Sequence, residues 1–171
     1  MLEKILERVV EMSKKPELYV AKYPTGLNDK VTDFETTVLK QQRSGKVQVV
    51  GIVGLGGAGK TTLSLELFNR KRSCYSKSYF LSDVRETANK SSLHSLQREL
   101  LKGLTGFDLH INNINEGIGM FERYLKSSHF FFILDDIDHE DQLEAFLPLK
   151  DVLSSNSLIL ITSRDINVLE R

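Results

Sequence analysis

The sequence is short of the residues that crosslink or stiffen a chain. Among its 171 residues are 3 prolines and a single cysteine, Cys74. One cysteine excludes an intrachain disulfide and suits a reducing, cytoplasmic compartment. Net charge is lacking too: Lys plus Arg number 23 and Asp plus Glu 23, so 23 − 23 leaves 0. There is then no global attraction to nucleic acid or to an anionic membrane, and any phosphate binding must be local. Long apolar runs are missing as well. The longest, Phe130 to Leu134, falls far below the roughly 20 residues of a membrane helix. The start, MLEKILERVV, scatters Glu, Lys and Arg among its apolar residues and so lacks the continuous apolar stretch of a signal peptide. No repeat or low-complexity segment occurs, and His94, His110, His129 and His139 show no metal-ligand spacing with Cys74 or with one another.

What remains is an ordinary globular composition, 40% hydrophobic and 27% charged, sized for one domain and a short appendage. Leu2, Ile5, Leu6, Val9 and Val10 recur at helical spacing until Lys14-Lys15-Pro16. Leu27, Val31, Phe34 and Val38 predict a second helix over Asn28–Lys40. The polar stretch Gln41–Lys46 divides residues 1–46, an N-terminal helix and linker, from a main domain at 47–171.

In the main domain strands and helices alternate. Strands are expected at Val47–Val53, Ser78–Ser82, Phe130–Leu134 and Leu158–Thr162, and helices at Lys60–Arg72, Leu93–Leu104, Asn115–Lys126 and Glu140–Leu147. Such alternation predicts an α/β fold with a parallel sheet and right-handed crossovers, hence helices on both faces. The last residues before Arg171 read as the opening of another helix.

Gly54-Leu55-Gly56-Gly57-Ala58-Gly59-Lys60-Thr61 matches G-x-x-x-x-G-K-[ST], between a strand and a helix, the signature of a P-loop NTPase. Small residues at Gly56, Gly57, Ala58 and Gly59 let successive N–H groups face one anionic centre, reinforced by the helix N-terminus. Lys60 would reach the terminal phosphates, the Thr61 hydroxyl would ligate Mg²⁺, and Thr62 would lie near the α-phosphate.

The apolar strand Phe130–Leu134 runs into Asp135-Asp136, at the sheet edge where open α/β sheets bind ligands. Asp135 is the candidate for holding magnesium, and Asp136 for orienting or deprotonating an attacking water. The alternative for either is a turn or capping aspartate. Leu158–Ile161 likewise leads into Thr162-Ser163-Arg164, which offers Arg164 as a sensor of the terminal phosphate. Its alternative is a surface arginine paired with Asp165.

GIVGLGGAGKTTL at Gly51–Leu63, YFLSDVRE at Tyr79–Glu86, FFFILDDID at Phe130–Asp138 and SLILITSRD at Ser157–Asp165 resemble, in order, the motifs of the NB-ARC domain of plant nucleotide-binding leucine-rich-repeat immune receptors. Asp138 and YFLSDVRE are similar to the class carrying a TIR domain. The resemblance implies an ADP/ATP switch core with weak Mg²⁺-dependent hydrolysis, and partners or oligomerisation through flanking domains. It also implies that Leu18–Leu27 is the linker that packs on the adenine, which gives Val20, Gly26 and Leu27 a base-binding role. The family's TIR domain, GLPL and MHD motifs and repeats are absent from the sequence, so the chain reads as a fragment or truncated product. A rival function is a P-loop small-molecule or nucleotide kinase, against which stands the lack of an Arg-rich insertion between the later strands.

Overall fold

The computed structural model describes residues 17–20, 26–39, 46–126, 128–153 and 156–170. Helix α1 is Leu27–Thr37 and strand β1 Gln48–Val53, followed by helix α2 over Lys60–Lys71 and a 3-10 turn at Arg72–Cys74. Strand β2 (Lys77–Leu81), helices α3 (Val84–Lys90), α4 (Leu93–Thr105) and α5 (Ile114–Leu125) and strand β3 (Phe130–Ile137) come next. Helices α6 (Glu140–Glu144) and α7 (Leu149–Val152) and strand β4 (Leu158–Ser163) complete the described elements.

The strands form one parallel sheet in the order β1-β4-β3-β2. Strands β3 and β4 are central and buried on both faces, which is why they read as unbroken apolar runs. Their side chains alternate between two cores. Phe130, Phe132, Leu134, Ile159 and Ile161 face Leu96, Leu100 and Phe121 of α4 and α5. Phe131, Ile133, Leu158 and Leu160 face Leu27 and Val31 of α1 and Leu67 and Phe68 of α2. Helices thus cover both faces, as the alternation predicts.

Local chemistry sets the helix ends. Helix α4 stops at Gly106, whose φ of 82° lets its N–H reach the Lys102 carbonyl. Helix α5 starts where the Asn113 side chain accepts the Glu116 N–H at 2.9 Å while the Glu116 carboxylate accepts the Asn112 N–H at 2.8 Å. Helix α6 is shorter than the predicted Glu140–Leu147, because Pro148 lacks the N–H to extend it and instead opens α7. Helix α3, with the polar sequence VRETANK, has no apolar period to betray it. Helix α1 ends at Thr37 rather than Lys40, and residues 164–170 form turns rather than a further helix. The predicted helix at Leu2–Val10 lies outside the described residues.

Strand β3 runs three residues past its predicted end, and not regularly. Leu134 pairs with Ile161 and Ile137 with Ser163. That is 137 − 134 = 3 residues of β3 against 163 − 161 = 2 of β4, a bulge with one extra residue. Asp135 and Asp136 occupy it, and Asp136 is left-handed with φ 60°.

Candidate nucleotide site

The sheet order decides what meets. Strand β4 lies between β1 and β3, so the ends of three adjacent parallel strands open onto one edge and bring the phosphate loop, Asp135-Asp136 and Arg164 together. They line a cavity of about 280 Å³ with Gly56, Gly57, Gly59, Lys60, Thr61 and Thr62. Gly57 and Gly59 have φ of 77° and 84°, which β-carbon-bearing residues rarely adopt. Gly54 and Ala58 shape the loop from behind: the Gly54 N–H donates to the Ser163 carbonyl at 3.3 Å and the Ala58 N–H to the Leu55 carbonyl at 3.2 Å. Lys60 folds its ammonium back onto the loop, donating to the carbonyls of Gly54 at 2.6 Å and Leu55 at 3.0 Å.

Asp135 is 2% exposed. The hydroxyl of Thr61 donates to its two oxygens at 3.1 and 3.0 Å, and that of Thr162 donates to Oδ1 at 2.7 Å. Burial pushes its carboxyl above the usual carboxylate range, against the lowering effect of those two hydroxyls; the charges of Asp136 and Asp83 add to the rise. A buried carboxylate beside a threonine hydroxyl at a cavity wall is a hard-oxygen donor pair suited to Mg²⁺. Among the described residues no group of three or more His, Cys, Asp or Glu could hold a metal by itself.

Asp136 is held differently. Its N–H donates to the Thr162 hydroxyl at 2.8 Å. Its Oδ2 meets Arg85 Nη2 at 3.0 Å and its Oδ1 meets Arg164 Nε at 3.1 Å. Arg164 is therefore no partner of Asp165, which instead accepts from Asn167. The Arg164 guanidinium also leans over the loop, with Nη1 3.5 Å from where a Cβ on Gly56 would stand.

With this geometry in view, the chain matches the NB-ARC domain over residues 30–171. This chain belongs to the NB-ARC family. NB-ARC relatives include TMV resistance protein N of Nicotiana glutinosa, 36% identical across 73% of this chain and 11% of that protein. Disease resistance protein RUN1 of Vitis rotundifolia is 33% identical across 74% of this chain and 10% of its own length. RRS1 of Arabidopsis thaliana is 32% identical across 94% and 11%. The chain thus spans about a tenth of these relatives. Among solved structures, Cdc6p from Pyrobaculum aerophilum superposes with a TM-score of 0.67 at 17% identity, over 91% of this chain and 43% of that one. The Aeropyrum pernix ORC2 protein gives 0.54 at 14% identity, over 90% and 45%. The NB-ARC chain therefore has the P-loop NTPase α/β fold.

Sequence reasoning missed three residues at this NB-ARC site. Thr162 knits the bulge, Arg85 holds Asp136, and Asp83, left-handed with φ 51°, lines the cavity. Arg85, the second residue of the polar helix α3, has no local signal in the sequence. Val20, Gly26 and Leu27 do not line this cavity. Leu27 and Val20 pack with α2 in the core on that face, and Gly26, with φ 66°, precedes α1. The side chain of Asn69 on α2 grips the Leu18 backbone at both N–H and carbonyl, 2.9 and 2.8 Å. Among the described residues no helix is long and apolar enough to cross a membrane.

Proposed function

We propose that this domain is the nucleotide-binding core of a plant immune receptor switch, which binds ADP or ATP with Mg²⁺ and hydrolyses ATP slowly. The observation that carries the reading is the convergence of Lys60-Thr61, Asp135 and Arg164 on one cavity at the sheet edge. The phosphates would lie in the loop, where Lys60 exchanges its two carbonyl partners for the terminal phosphates. The bound metal would be held by Thr61 and, through water, by Asp135, and supplies charge neutralisation at the phosphates. The base would lie toward Val20, Gly26 and Leu27, as the family resemblance implies. An adenine nucleotide also agrees with the ORC2 structure, which is of ADPNP-ADP complexes of that protein.

In hydrolysis a water attacks the γ-phosphorus opposite the bridging oxygen. The new P–O bond forms as the bond to that oxygen breaks, giving ADP and inorganic phosphate. Asp136 orients this water and accepts its proton, while Arg164 and Lys60 stabilise the charge that develops on the phosphoryl oxygens. Arg164 has no such partner on ADP, so it gives the two nucleotide states different contacts, the requirement for a switch. Signalling partners would be proteins met through flanking segments, in the cytoplasm.

Replacing Lys60 by alanine tests the assignment. The side chain serves ligand charge rather than the core, so ADP affinity should fall roughly tenfold to a hundredfold with the unfolding midpoint unchanged. Equal ADP affinity for both proteins, measured by titration calorimetry at fixed magnesium, would sink the assignment.

A further inference from the structure

The nucleotide reading gives roles to Lys60, Thr61, Asp135 and Arg164, but none to Arg85, which shares Asp136 with Arg164. A single aspartate needs one cation, and here each carboxylate oxygen has its own. The two arginines are unlike in their anchoring. Arg85 follows Val84, which is fully buried, and its side chain is 33% exposed. Arg164 follows the last residue of β4, is 48% exposed, and already reaches from Asp136 toward the phosphate loop at Gly56. Asp136 itself is fixed by its left-handed backbone and its bond to Thr162, and its side chain is 17% exposed.

We propose that Asp136 is the resting counter-ion of Arg164, and that Arg85 is the positioning residue that keeps Asp136 neutralised when Arg164 moves to the terminal phosphate of a nucleoside triphosphate. Arg85 thereby sets the preference of the site for triphosphate over diphosphate, though it lies outside the phosphate loop. This rests on the nucleotide-binding reading above. Without Arg85, the departure of Arg164 strands a largely buried carboxylate, a cost that opposes the exchange. A diphosphate asks for no exchange and escapes that cost. The same movement frees Oδ1 of Asp136, so the carboxylate becomes available to water only when a terminal phosphate is present.

The test is a double-mutant cycle on the full chain, titrating magnesium-ADP and a magnesium complex of the non-hydrolysable β,γ-imido analogue of ATP. Arg85→Gln should weaken the triphosphate about fivefold and ADP by no more than about twofold, the scale of a part-exposed ion pair. Asp136→Asn, which releases Arg164, should strengthen the triphosphate by a similar factor, and Arg85→Gln should add nothing in that background. Arg85→Lys, which keeps the charge, should retain most of the preference and serves if Arg85→Gln fails to fold. Equal losses for both nucleotides, or an Arg85 effect that persists beside Asp136→Asn, would overturn the proposal. If the unmutated chain binds neither nucleotide, the site reading itself fails, a result distinct from binding with an unchanged preference.

Discussion

Strand β3 is built in two ways along its length. From Phe130 to Leu134 it is apolar, buried on both faces and in regular parallel register with β2 and β4. From Asp135 to Ile137 it carries an extra residue, a left-handed aspartate and two carboxylates held by side chains from other strands and helices. The body is stabilised by apolar area that neighbours of any regular sheet would bury. The tip is held by individual polar bonds, each with a named donor, and exposes what they position. Changes in the body should therefore be read as lost stability, and changes in the tip as lost ligand discrimination.

The largest effect should come from the body. Phe132 is fully buried on the α4 and α5 face, so Phe132→Ala should cost about 3–5 kcal/mol of unfolding free energy. That is a large share of the roughly 5–15 kcal/mol typical of a domain. Denaturant titration checks it. A cost below about 1 kcal/mol would mean that the strand body is not the core and the comparison is misdrawn.

A smaller change should separate the two regions most sharply. Thr162 accepts the Asp136 N–H and donates to Asp135. Thr162→Val keeps the shape and the strand preference but leaves that N–H and one oxygen of Asp135 without this partner. Stability should fall by about 1–3 kcal/mol, the cost of unpaired polar groups. Magnesium-dependent nucleotide affinity should fall as well, beyond anything Phe132→Ala does to the molecules that remain folded. Unchanged affinity by calorimetry would show that the bulge holds its shape without the hydroxyl.

The same division explains what the sequence discloses. The body is legible because burial writes itself as composition: Phe130–Leu134 and Leu158–Ile161 are apolar throughout, and their strand ends point to Asp135, Asp136 and Arg164. Gly54–Thr61 is legible because its backbone demands small residues at fixed spacing. The bulge is not, because an extra residue exists only relative to the register of β4, and no local pattern in FILDDI records that register. Arg85 is hidden for a related reason. Its role depends on β2 lying beside β3, and α3, which carries it, has too few apolar residues to show a helical period. Thr162 reads as one more β-branched strand residue until Asp135 and Asp136 are seen across from it.

The smallest effect concerns a titrating group on β2, beside the body of β3 rather than its tip. Tyr79 of β2 pairs with Phe132, and its ring lies against Gly103 of α4, where an added Cβ would fall 2.0 Å from the ring. Its hydroxyl donates to Glu99 at 3.1 Å. Burial, then the Glu99 charge and that hydrogen bond, push the phenol from 10.0 up to about 12. A folded-state pKa above the unfolded one means that the proton is held more tightly in the native chain. The stability it represents is complete below pH 10.0 and drains away as pH rises toward about 12. Near neutrality Tyr79→Phe should cost only about 0.5–1 kcal/mol, the net worth of one ordinary hydrogen bond. Above pH 10.0 the cost should shrink, since phenylalanine has no proton to lose, and the alkaline slope of the mutant should be the shallower. Denaturant midpoints followed from neutral pH into the alkaline range decide it. Parallel slopes would mean that the loss of stability at high pH arises elsewhere and that the packing of Tyr79 against α4 does not hold its proton.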